Sequence, residues 1–173
     1  MVIGRVPLLL FVLLAFASQI CAADPKPEPV GVLEVGVAPS RSLSDHTTSI
    51  GPTIGFEVEP IEKWLELEAG VTSNFGPHST EWSADLLFKK PWTLSSKLEF
   101  MAGIGPEWIH TRESGSSRNS LAAEAAGDFM FWPGRNRKFG WYCEPGFEYS
   151  FGRGHERSIG VSFGLLIAIG KRR

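Results

Sequence analysis

Carboxylates dominate the chemistry open to this chain, and their spacing is regular. Thirteen of the nineteen acids lie within segments of about ten residues, all on one parity of a two-residue repeat. They are Glu34, Glu57, Glu59, Glu66, Glu68, Glu81, Asp85, Glu99, Glu107, Glu124, Asp128, Glu144 and Glu148. The other parity is apolar, as in Leu65, Leu67, Ala69 and Val71 or in Phe100, Ala102 and Ile104. A period of two places alternate side chains on opposite faces of an extended strand. The acids therefore share one face, and only Lys89 and Lys97 oppose their charge there. Confined together, such acids need shared protons, bound cations or arginines folded in from the ends. On an open wet face they need none of these.

Four histidines sit between or at the edges of the segments: His46, His78, His110 and His155, with Asp45, Glu113 and Glu156 nearby. Imidazole with carboxylate would suit zinc or copper. No two of these residues have tight ligand spacing within one segment, so they read as polar rim residues, and no metal or other cofactor is assigned. His155 and Ser158 stand three apart with Glu156 between them. On a strand that spacing points them to opposite faces, which is wrong for a nucleophile and its base. A pair recruited across strands, His110 with Ser158 or Ser120, stays open. The sequence carries no phosphate loop, metalloprotease helix or dinucleotide fingerprint, and the chain is not read as an enzyme. Glycines such as Gly103, Gly105, Gly152 and Gly154 read as bends that leave room for large inner neighbours, among them Trp64, Met101 and Tyr142.

These residues must be positioned by strands. The chain has 173 residues, 43% hydrophobic, enough for one domain with a core. Its net charge of −2 offers no basic footprint, so nucleic acid is excluded as a partner. Eight alternating segments span residues 30–38, 50–59, 65–72, 81–89, 97–108, 120–131, 141–151 and 158–169, with turn residues between them. Residues 1–23 precede them as a signal peptide: Arg5, an apolar run from Val6 to Ile20, then Cys21, Ala22 and Ala23 for cleavage. Residues 24–29 form a short Pro-rich N-terminus, and residues 30–173 the strand domain. Cleavage removes Arg5 and leaves a net charge of about −3. It also removes Cys21, so Cys143 lacks an intramolecular partner and no disulfide staples this exported protein.

Two architectures give this pattern. A soluble barrel buries the apolar face; a transmembrane barrel turns it to lipid. Segment length, the small Gly, Ser and Thr residues on the polar face, and aromatics near the segment ends point to the second. Trp82, Trp108, Tyr149 and Phe151 lie towards one end, and Trp92, Phe131 and Trp141 towards the other. The expected fold is all-β: an eight-stranded antiparallel up-and-down transmembrane β-barrel after a cleaved signal peptide. The alternative is a soluble, lipocalin-like exported barrel with an apolar ligand.

The cleavable signal, eight alternating segments and aromatic ends resemble the small eight-stranded outer-membrane barrels of Gram-negative bacteria, the OmpA-like and OmpX-like group. The resemblance covers the whole mature chain; it is architectural and carries no short motif. Such proteins usually end on an aromatic residue, whereas this chain ends on Arg173. The resemblance implies a monomer in the outer membrane, with membrane lipids, lipopolysaccharide and the barrel-assembly machinery as partners. It also implies periplasmic termini. The outer loops are then 40–47, 75–79, 111–118 and 152–157, and the periplasmic turns 60–63, 90–96 and 133–138. All seven lysines fall at the periplasmic end, while the outer loops carry arginine. Arg112, Arg118, Arg153 and Arg157 are expected to meet lipopolysaccharide phosphates. Glu57, Glu66, Glu68, Asp85, Glu99, Glu107, Glu124, Asp128, Glu144 and Glu148 are expected to line a narrow acidic lumen. Some barrels of this membrane are lipid A deacylases, but the Ser-Asn that accompanies their histidine is absent here. The implied role is non-enzymatic, at the surface or in envelope structure.

Overall fold

A computed structural model of the chain describes residues 29–170 except 78, 114, 135 and 153. The expected signal peptide therefore lies outside the described residues. Ten strands follow one another: β1 (Gly31–Val37), β2 (Ser40–Ser42), β3 (Thr48–Ser49), β4 (Pro52–Ile61), β5 (Leu65–Phe75), β6 (Ser79–Thr93), β7 (Leu98–Glu113), β8 (Ser116–Phe131), β9 (Phe139–Ser150) and β10 (Arg157–Ile169). Eight of them, β1 and β4 to β10, form the wall, each antiparallel to its neighbours. β1 also pairs with β10, from Gly31 opposite Ile169 to Val37 opposite Phe163, so the sheet closes on itself. The result is the expected eight-stranded up-and-down barrel.

Three connections differ from expectation. β7 and β8 run on to Glu113 and Ser116, so the expected 111–118 loop shrinks to a tight hairpin. Gly115 makes the reversal possible at φ +85°, where a side chain would be strained. β6 continues to Thr93, so the turn expected to start at Lys90 starts later. The expected 40–47 loop is partly strand. β10 outruns β1, and Ser40–Ser42 takes the open place beside Ser158, Ile159 and Gly160 before β3 folds back on it. On β8, residues 116–120 pair with β7 alone, and the ladder to β9 begins at Ala122 opposite Ser150.

Alternation fixes which way each side chain faces. Ile104, Leu121 and Leu165 are each at least 60% exposed, while Glu57 and Asp128 are 0% and Lys89 1% exposed. Water cannot be the solvent of such an exterior. Ten strand residues at about 3.3 Å each, tilted by about 40°, climb about 25 Å, the height of an outer-membrane apolar band. Aromatic rings mark both ends of that band. Trp92, Phe100 and Phe129 stack in a row across β6, β7 and β8, with Phe131 and Trp141 beside them. At the other end Trp82, Trp108 and Phe151 are exposed, and Tyr149 lies edge-on to Phe151. Met101 and Tyr142 face inward as expected. Trp64 does not: the chain turns at Lys63, with φ +58°, before β5 begins, and leaves the Trp64 ring 60% exposed.

Candidate functional site

Lys89 is the centre of the interior. The inward parity of β6 runs Ser83, Asp85, Leu87, Lys89, so the alternation that sends Phe88 into lipid sends Lys89 into the lumen. Its ammonium donates to Glu57 on β4 at 3.2 Å and pairs with Glu68 on β5 and Glu144 on β9. Asp128 on β8 stands 3.6 Å away. One cation thus ties four wall strands together. Buried charges persist only when paired and hydrogen-bonded, and an ammonium has three donors to give. The Ser162 hydroxyl donates to the other Glu144 oxygen at 3.3 Å. Glu34 Oε1, Glu57 Oε2 and Asp128 Oδ1 are buried without a hydrogen-bond partner.

At the terminal end of the barrel, where β1 begins and β10 ends, two residues the sequence reading missed fold inward and narrow the lumen. Trp132 is 1% exposed, packed against Met101, Met130, Tyr142 and Leu166. Its indole N–H donates to Glu99 at 3.1 Å. Arg137, in the turn after β8, folds inward and binds the other Glu99 oxygen at 2.6 Å. Lys97, placed on the acidic face by parity, is instead exposed in the turn before β7. Arginine recruitment from the rim is therefore realised by Arg137.

Two cavities flank Lys89. One of about 400 Å³ opens at the terminal end, where Glu57, Glu66 and Glu99 reach it. The other, about 100 Å³, lies towards the loop end. Glu68, Asp85 and Glu107 line one side of it, and Glu124, Glu144 and Glu148 the rest. Asp128 sits beside Lys89. Beyond is a vestibule of about 270 Å³ with Glu81, Glu113 and Glu156 at its walls.

The rim separates the arginines by parity. Arg112 and Arg157 share the lipid-facing parity of Trp108 and Ile159. Arg157 lies over the Tyr149 ring, 5.9 Å from its centroid. Arg118 instead lines the vestibule and pairs with Glu156 at 3.2 Å. Arg153 lies outside the described residues. In the β2–β3 loop, hydroxyl groups of Ser42 and Thr47 hold the Asp45 carboxyl down at about 2, against an ordinary 3.8.

The histidines do not converge among the described residues. His110 bonds Asn119 at 2.7 Å and stacks on Trp108, while His155 stacks on Tyr149. Ser120 and Ser158 line the vestibule on the inner face. Neither histidine shares a face with them, so the wall keeps the candidate nucleophiles and bases apart. His78 lies outside the described residues.

An apolar belt outside, two aromatic girdles and an ionic interior define an eight-stranded transmembrane β-barrel of the outer-membrane type. Solved structures of such proteins share the fold. Neisserial surface protein A superposes with a TM-score of 0.68 at 12% identity, over 80% of this chain and 97% of that one. The outer membrane protein OprG from Pseudomonas aeruginosa gives 0.61 at 11%, over 84% and 98%. Ail, the attachment invasion locus protein of Yersinia pestis, gives 0.55 at 14%, over 81% and 98%. No protein-family model and no curated protein sequence matches the chain.

Proposed function

We propose that this is a small outer-membrane protein with a surface or envelope-structure role, without chemistry of its own. The observation that carries this is the inverted polarity: apolar side chains such as Ile104 and Leu165 outside, Lys89 and its carboxylates inside. The lipocalin-like alternative needs an apolar interior, and here the apolar parity faces outward. Free solute passage is not the role either, because Lys89 and the carboxylates paired with it fill the lumen between the two cavities. Lipopolysaccharide is the partner we assign to the rim, through Arg112 and Arg157 beside the aromatic girdle. An Arg fork matches phosphate oxygens, and an aromatic ring anchors at the headgroup level.

Fractionation with and without boiling tests the reading. The protein should enter the outer-membrane fraction and run at a different mobility in SDS before boiling than after. Recovery in the osmotic-shock fluid, with no heat-dependent mobility, would refute it.

A further inference from the structure

Glu34 on β1, Glu57 on β4 and Asp128 on β8 bring carboxylate oxygens to within 4.8 Å of one another inside the barrel. Their exposures are 2%, 0% and 0%, so water does not solvate them. Lys89 meets them only in part, through one oxygen each of Glu57 and Asp128. Its three donors also serve Glu68 and Glu144, and it forms no ion pair with Glu34. Glu34 Oε1 is buried and has no hydrogen-bond partner; neither has Glu57 Oε2 or Asp128 Oδ1. An unmatched buried carboxylate is expensive, and three from separate strands at one point call for a shared counter-charge.

We propose that Glu34, Glu57 and Asp128 form a binding site for one hard divalent cation of the calcium class. The donor set is all oxygen and all carboxylate, with no imidazole or thiolate to favour zinc or copper. The spacing permits it: oxygens held about 2.4 Å from one calcium ion stand no more than about 4.8 Å apart, and these three lie within that limit. The charge agrees as well. Five carboxylates (Glu34, Glu57, Glu68, Asp128 and Glu144) face one ammonium, and a divalent ion offsets two more of their charges. The 400 Å³ cavity at the terminal end reaches Glu57 and supplies the route in. The ligands come from both sides of the lumen, because β8 is three strands from β1 and four from β4 around the wall. A bound ion would therefore brace the barrel across its diameter, beside the Lys89 cluster.

The test uses the barrel refolded in a zwitterionic detergent free of lipopolysaccharide, so that lipid phosphates do not bind the ion. Calcium should raise the urea midpoint relative to chelator. It should also displace terbium whose luminescence is sensitised by the neighbouring Tyr142 and Trp132. Glu34→Gln should weaken calcium binding by about tenfold or more and remove the shift, since each charged ligand sets the affinity. Glu34 has no ion pair with Lys89, so this variant reads the site even if Asp128→Asn fails to fold. Glu156→Gln at the rim should leave both signals intact. No calcium-dependent shift in the parent, or a shift undiminished in Glu34→Gln, would overturn the proposal.

Discussion

A single side chain carries most of the interior's ionic order. The Lys89 side chain has no exposed surface and holds Glu57, Glu68 and Glu144 together with Asp128 at 3.6 Å. Removing one partner of a buried ion cluster strands the rest, at a cost of about 3–5 kcal/mol. Lys89→Met should therefore lower the unfolding free energy by that amount in urea titrations, or prevent refolding. Lys63→Met, whose ion pair with Glu62 is 74% and 65% exposed, should change it by less than about 0.5 kcal/mol. The acids and Lys89 were legible in the sequence because parity alone assigns a face. Trp132 was legible too, had the count gone one step further: Asp128, Met130 and Trp132 continue the inward parity of β8 past its last paired residue. Arg137 gave no such signal. It lies in an irregular turn, with φ +44°, where no period exists to read.

Strand pairing was legible wherever alternation was strict, and strand ends were not. Ser116 to Ser120 is polar on both parities, so nothing in its composition separates a loop from a strand above the membrane. The closing seam was equally hidden, because pairing of the first wall strand with the last leaves no local mark. In space it has a clear requirement. Gly36 faces Gly164 across β1 and β10, and a Cβ on Gly164 would meet the Val35 carbonyl oxygen at 2.2 Å. That oxygen belongs to the ladder and cannot yield without opening it. Gly164→Val should cost about 1–3 kcal/mol and reduce the fraction that keeps its folded mobility in SDS before boiling. Gly134→Ala, with open space around it, should leave that fraction unchanged.

The molecule as a whole is a soluble fold turned inside out, and its rim inherits that division. Arg112 and Arg157 stand on the lipid parity, whereas Arg118 turns to the vestibule and Glu156. Added lipopolysaccharide should raise the thermal midpoint of the parent protein. The double change Arg112→Ala with Arg157→Ala should lose most of that rise, and Arg118→Ala should retain it, as read by heat-dependent gel mobility. The overall barrel was foreseeable because eight segments repeat one pattern; the height of its wall around the circumference was not. That unevenness matters for how the protein lives among its neighbours. Where β8 climbs past β9, residues 116–120 pair with β7 on one side, and among the described residues no strand ladder covers their other edge. Such a bare flank invites any extended peptide to dock and invites runaway stacking of copies. Ser116, Ser117, Arg118, Asn119 and Ser120 supply no grease to make either bargain attractive, so a crowded surface of these barrels can stay unclumped.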